Sequence, residues 1–161
     1  MDFETVYQEL FAPLYRYVFF RVRNYDESMD IIQTVFVKVF EKYSDKEISE
    51  MTRLSYQIAR HEIIDRGRKK QSSPMDPASD TMKNIEDVNI KTPKDYVEQQ
   101  ERIAEVEKLL DELDEDSREV IVLKYLQEKE YSEIAKILGK TESAIRQIVS
   151  RSIKKLRTTY E

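Results

Sequence analysis

Residues 133–149 read EIAKILGKTESAIRQIV. Two apolar, helix-like patterns meet in this run at Gly139, one of only two glycines in 161 residues. Glycine accepts left-handed backbone angles without a steric penalty, which suits it to the end of a helix. Ile134, Ala135, Ile137 and Leu138 form the apolar side of a first short helix that stops there. Thr141 carries the hydroxyl of a good N-cap for a second helix, and Glu142 is well placed in its first turn. Two short helices joined by a tight glycine turn make a helix-turn-helix.

The second helix has two faces. Ile145, Ile148, Val149, Ser152, Ile153 and Leu156 follow i, i+3, i+4 spacing and are expected to pack inward. Ser143, Arg146, Gln147, Ser150, Arg151, Lys154 and Lys155 lie opposite. Arginine can read guanine with paired hydrogen bonds, glutamine can read adenine, and lysine meets phosphate without reading sequence. A DNA-reading helix is the sharper reading. An antiparallel helical pair with a solvated basic face is the plainer one, and this segment alone leaves both open.

Composition extends the helical reading to the whole chain. Two glycines and four prolines leave little turn chemistry for an all-β fold, so an all-α protein is expected. The length suits two small helical domains. The absence of cysteine excludes disulfides, thiolate zinc sites and cysteine nucleophiles. No apolar run approaches the ~18 residues of a membrane span. The opening MDFETVYQEL is acidic and amphipathic, unlike a signal peptide. A cytoplasmic chain without membrane insertion is therefore expected.

The net charge of −5 conceals a segregation. Residues 98–119 hold ten acids and three bases, whereas residues 140–157 hold six bases and one acid, Glu142. An acidic chain with such a stretch can still bind DNA locally.

Upstream, residues 3–22 show helical spacing through Phe3, Val6, Tyr7, Leu10, Phe11, Leu14, Tyr17, Val18 and Val22, with Pro13 expected to kink or split the helix. NYDES at 24–28 reads as a turn and helix start. A helix over about 27–43 turns Ile32, Val35, Phe36, Val39 and Phe40 inward and Asp30, Gln33, Thr34, Val37 and Glu41 outward. SDKEISE at 44–50 reads as a loop or short turn. A helix over about 51–69 buries Leu54, Ile58, Ala59 and Ile63 and ends in RGRKK. Residues 71–95 hold three of the four prolines and no sustained period, which predicts a flexible acidic linker. The expected division is a helical domain over 1–70, a linker over 71–95 and a helix-turn-helix domain over 96–161. The second domain opens with a helix over about 96–113 carrying Ile103, Val106, Leu109, Leu110 and Leu113, followed by SREVIVLKYL at 117–126.

These parts, in this order, resemble the compact bacterial RNA polymerase sigma factors of the extracytoplasmic-function group over nearly the whole chain. REVIVLKYLQEKEYSEIAKILGKTESAIRQIVSRSIKKLR resembles their region four. LYRYVFFRV, DIIQTVFVKVFEKY and IARHEIIDRGRKK resemble successive parts of region two. The resemblance implies a factor that binds core RNA polymerase, recognises two promoter elements and directs initiation of transcription. Polymerase docking would use Asp30, Gln33, Thr34, Val37 and Glu41. The minus-ten element would meet the loop 44–52, where the family captures a flipped base, and Arg53, Tyr56, Gln57, Arg60, His61 and Arg68 on the next helix. Tyr56 would offer an aromatic face for stacking. The minus-thirty-five element would meet Thr141, Glu142, Ser143, Arg146, Gln147, Ser150, Arg151 and Lys154 in the major groove. The resemblance also implies an anti-sigma factor as a partner and a monomer, free or in holoenzyme.

The chain departs from the family pattern at several positions. Met29 and Thr34 replace two acids, His61 replaces an asparagine, Gln147 and Ile148 replace a serine-arginine pair, and Asp114 replaces a proline. No phosphate-cradling glycine loop and no nucleophile with a histidine partner is visible, so no enzyme activity and no cofactor are expected. His61 and Asp65 share a helix face without a third ligand, and no metal is expected. A stand-alone helix-turn-helix regulator, with the N-terminal helices serving dimerisation or sensing, is the alternative.

Overall fold

A computed structural model describes residues 3–70 and 93–160. The described residues form seven α-helices: α1 (Phe3–Val22), α2 (Tyr25–Lys42), α3 (Ile48–Lys70), α4 (Pro93–Asp111), α5 (Glu115–Ile121), α6 (Tyr131–Leu138) and α7 (Glu142–Tyr160). They belong to two compact units, α1–α3 and α4–α7. The chain is all-α as predicted. Most of the predicted linker, residues 71–92, lies outside the described residues, and its last three residues already belong to α4, which opens on Pro93. Proline suits that position because its missing N–H would have no intrahelical partner there.

In the first unit, α1, α2 and α3 pack against one another around Leu14, Tyr17, Val18, Ile32, Val35 and Tyr56. The expected split of α1 at Pro13 does not occur. Proline inside a helix costs about 3 kcal/mol. Val6 and Leu10 before it, and Leu14, Tyr17 and Val18 after it, are all buried, and this shared apolar stripe offsets the local cost. Helix α2 starts two residues earlier than its periodicity indicates. Asn24, in extended backbone, accepts the Glu27 N–H at 2.9 Å, and Asp26 and Glu27 occupy the electropositive first turn. The expected loop at 44–52 is shorter, because α3 begins at Ile48. Helix α3 also buries a slightly rotated face: Met51, Ser55, Tyr56, Ala59 and Ile63 are buried, while Leu54 and Ile58 are half-buried. Lys38 of α2 reaches across to Glu62 of α3 at 2.8 Å, and Arg66 approaches the same carboxylate at 3.6 Å. The Lys38 hydrogen bond, with the charges of Lys38 and Arg66, holds the Glu62 carboxyl below its ordinary range against a smaller opposing effect of burial.

In the second unit, Arg118 acts as a clasp. Its guanidinium donates to the carbonyls of Leu110 (3.0 Å) and Leu113 (3.1 Å), adding to the bond that the Leu113 N–H makes back to Leu110 at 3.1 Å and tying α5 to the end of α4. Leu110 and Leu113 are buried as expected, whereas Ile103, Val106 and Leu109 are only half-buried. Asp114 caps α5 by accepting the Ser117 N–H at 2.8 Å. The stretch 117–126 is not one regular helix. After Ile121 the chain makes a π-helical turn, Val122–Leu126, closed by the Gln127 N–H on the Val122 carbonyl at 3.0 Å. Val122 and Leu123 remain buried, while Tyr125 and Leu126 are exposed.

Helix α6 ends as its sequence indicates. Gly139 adopts φ 66°, ψ 34°, and the Lys140 N–H returns to the Ala135 carbonyl at 3.0 Å. This is the six-to-one bond of a Schellman ending. Thr141 then accepts the Ala144 N–H at 3.1 Å and opens α7. Ile145, Ile148, Val149 and Ser152 are buried, and Ile153 and Leu156 are half-buried.

Two substitutions separate backbone strain from space. A Cβ at either glycine would meet nothing within 4 Å, but only Gly139 has positive φ. Gly139→Ala is expected to lower stability by about 1–2 kcal/mol through left-handed strain. Gly67→Ala, inside α3, is expected to raise it by about 0.5–1 kcal/mol by restricting the unfolded chain. Urea unfolding of the full chain measures both signs.

Glu62 gives a pH-dependent test. Its folded-state pKa lies below the ordinary 4.5, so the stability its ionised form confers is complete above that value and lost as pH falls through the lowered one. Glu62→Gln is expected to cost up to about 1 kcal/mol at pH 7, since Lys38 is part-exposed. The gap between wild type and variant should close below pH 4.5 in unfolding curves taken across the acid range.

Candidate nucleic-acid interface

The turn at Gly139 and the cap at Thr141 set the direction of α7, and its inward isoleucines set its rotation about its own axis. Thr141, Glu142, Ser143, Arg146, Gln147, Ser150, Arg151 and Lys154 are consequently all exposed. The helix offers five hydrogen-bonding side chains of the kind that read base edges or phosphates at Arg146, Gln147, Ser150, Arg151 and Lys154. Two of its cations sit in contrasting surroundings. Arg146 lies over the Tyr131 ring, with its guanidinium carbon 4.3 Å from the ring centroid. Arg151 lines a depression of about 530 Å³ together with Lys140, Lys155 and the acids Asp114, Glu115 and Asp116. The Asp114 carboxyl is held below its ordinary range first by the Ser117 N–H it accepts, and further by the charges of Lys155 and Arg151.

The α3 candidates divide differently. His61 and Arg68 are exposed, and Arg53, Gln57 and Arg60 are half-buried. Arg53 bridges Gln57 at 3.3 Å and Glu50 at 3.4 Å along the helix surface. Tyr56 is a correction. It is 1% exposed and packs edge-on against Tyr17, with centroids 5.2 Å apart, so its ring has no free face on which a base could stack. Buried Ala59 and Ile63, three and seven residues on, share its side of the helix, which places it on the core side of α3.

On α2, Asp30, Gln33, Val37 and Glu41 are exposed and Thr34 is half-buried. The five line one surface depression of about 460 Å³ with Lys38 and Arg66. Val37 is 55% exposed and stands between this depression and an apolar groove beside it.

Two features escaped sequence reasoning. Phe3 and Tyr7 belong to the expected core stripe of α1, yet Phe3 is 54% and Tyr7 37% exposed. With Phe11, Met29, Phe36 and Phe40 they border an apolar groove of about 550 Å³ beside α2. Their rings touch Phe40 and Phe36 of α2, and helical spacing marks which residues share a face, not how fully neighbours enclose it. The second feature is Tyr131, whose ring also receives the Lys124 ammonium at 4.2 Å. The π-turn that carries Lys124 has no periodic signature, so the pairing was not visible in the sequence.

Among the described residues, no helix is long and apolar enough to cross a membrane.

Comparison with known proteins agrees with this layout. The family described as Sigma-70 region 2 matches residues 5–73, and Sigma-70, region 4 matches residues 109–158. The chain is 31% identical over 163 aligned residues to the ECF RNA polymerase sigma factor SigX of Bacillus subtilis (strain 168), covering 99% of this chain and 84% of SigX. It is 22% identical to SigM of the same organism, covering 99% and 96% of the two chains. Among solved structures, CnrH in complex with the cytosolic domain of CnrY has a similar fold, with a TM-score of 0.70 and 19% identity, covering 98% of this chain and 86% of that one. The sigma factor RpoE in complex with the anti-sigma factor NepR from Bartonella quintana is similar at a TM-score of 0.65 and 20% identity, covering 98% and 95%. With a region-2 pattern on its first unit, a region-4 pattern on its second and a full-length relative in SigX, the chain belongs to the ECF group of RNA polymerase sigma factors, DNA-binding proteins that direct transcription initiation.

Proposed function

We propose that this sigma factor docks on core RNA polymerase through the outward face of α2 and reads two promoter elements with α3 and α7. The observation that carries the proposal is the division of α7. Every residue expected to meet the minus-thirty-five element is exposed, while Ile145, Ile148 and Val149 anchor the opposite side in the core. In this reading α7 lies in the major groove, Arg146, Gln147 and Arg151 read base edges, and Lys154 meets phosphate. The turn before α3, with Arg53, Gln57, Arg60, His61 and Arg68, engages the minus-ten element. Asp30, Gln33, Thr34, Val37 and Glu41 form the polymerase contact. The protein supplies recognition and strand capture, with no chemistry of its own. An anti-sigma factor is proposed as its regulator, by analogy with the RpoE–NepR complex.

Transcription by the reconstituted holoenzyme, on promoters selected in vitro, tests the proposal. Arg146→Ala and Arg151→Ala should each reduce promoter-specific initiation by about 5- to 150-fold, the 1–3 kcal/mol of a base contact. Lys154→Ala should weaken all promoters alike and reduce the salt slope of binding by about one. Unchanged promoter choice in both arginine variants would remove α7 as the reader.

Docking is tested separately. Val37→Asp places a charge on an already exposed site, so thermal unfolding should be unaffected. Affinity for core polymerase, measured with a labelled full-length chain, should fall about tenfold or more. Undiminished binding would move the contact off this face of α2.

A further inference from the structure

We infer that Tyr131 is a positioning residue for promoter recognition, a cationic stacking platform that fixes the direction of Arg146. The inference rests on the proposed reading of Arg146 as a base reader. Its observation is independent of that reading: one half-buried aromatic ring receives two cations from two other elements.

The π-helical turn Val122–Leu126 brings in Lys124, whose ammonium lies 4.2 Å from the ring centroid and also donates to the Lys129 carbonyl at 3.4 Å. That carbonyl belongs to the short connection before α6, whose Lys129 N–H in turn donates to Leu123 at 3.0 Å. Tyr131, in the first turn of α6, is thus held from the side of the turn. Arg146, exposed and in the second turn of α7, lays its guanidinium 4.3 Å from the same centroid. The negative face of the ring attracts both cations.

Stacking has a consequence for readout. An exposed arginine ordinarily samples many rotamers and must be ordered when it binds. A guanidinium held over a ring loses much of that freedom while its N–H groups stay available for the paired bonds to guanine. Ordering Arg146 before DNA arrives lowers the cost of binding and restricts which base its edge can reach. The π-turn supplies Lys124, in keeping with the tendency of such turns to occur at functional sites.

The test uses holoenzyme reconstituted from the full chain and core polymerase, with a promoter library randomised across the minus-thirty-five element. Positions whose base preference collapses in Arg146→Ala define what that side chain reads. Tyr131→Leu should weaken preference at those same positions by about two- to fivefold, the factor that an exposed cation–π contact carries, and leave the others unchanged. Tyr131→Phe should retain the wild-type preference. Pentafluorophenylalanine at position 131 keeps the ring's shape but removes its negative face, and should behave like Tyr131→Leu. The double variant Tyr131→Leu/Arg146→Ala should be no worse than Arg146→Ala alone. Three results would each overturn the inference: equal loss at all positions in Tyr131→Leu, wild-type behaviour of the fluorinated ring, or additive effects in the double variant. If Arg146→Ala changes no base preference, the base-reading role falls and the platform with it. If Arg146→Ala has its effect and Tyr131→Leu has none, only the platform falls.

Discussion

The second unit depends on a backbone constraint at one residue. Between Leu138 and Thr141 the chain must stop one helix, reverse the course of its carbonyls and start another. It does so with φ at +66° on Gly139 and a return bond from Lys140 to Ala135. Only a residue without a Cβ holds that angle cheaply. Once the turn is fixed, Thr141 caps α7 in a set direction, and Ile145, Ile148 and Val149 can reach the core only in one rotation. The exposed face follows from that rotation. Arg146 could not face solvent if Ile145 and Ile148 were not held inside.

The parts of this structure legible in the sequence are those governed by local rules. The glycine turn, the threonine cap and the two faces of α7 each arise from neighbouring residues, and the structure places them as read. The same holds for the outward face of α2, where period 3.6 alone separates Gln33 and Val37 from Ile32 and Phe36. Legibility fails where tertiary packing decides. Pro13 looked like a break, but the buried stripe on both sides of it carries α1 through. Tyr56 looked available for a base because tyrosine can stack, but α3 turns it onto Tyr17. Phe3 and Tyr7 looked like core because they share a stripe with Val6 and Leu10, and they do pack on Phe40 and Phe36 of α2, but each ring keeps an open side on the groove. The π-turn was unreadable for a different reason. It changes the register of Lys124 without altering the apolar pattern of Val122 and Leu123.

Helix α2 serves the fold with one face and leaves the other available. Ile31, Ile32, Val35, Phe36 and Val39 are buried, and the Lys38–Glu62 bridge fixes its outer edge to α3. An exposed ion pair contributes little stability alone. Its effect here is geometric, since it stands at the rim of the depression that holds Asp30, Gln33 and Glu41. That face sets polar side chains around one exposed apolar group, Val37.

The charge of the chain resolves in the same local way. A net charge of −5 would repel DNA if it were spread evenly. Instead the acids at the start of α5 lie beside Arg151 and Lys155, whose charges add to the Ser117 hydrogen bond in holding the Asp114 carboxyl below its ordinary range. That part of α7 is partly neutralised before any phosphate arrives. Arg146 does not line that depression and has an aromatic face as its neighbour. A ring attracts a cation without cancelling its charge, so Arg146 keeps its field while losing its freedom. Salt screens exposed charges beyond roughly 8 Å under physiological conditions, which leaves these immediate neighbours to decide how each cation behaves. In the proposed reading, recognition by α7 is therefore concentrated toward its N-terminal half, where the glycine turn, the threonine cap and the tyrosine ring all act on the same few residues.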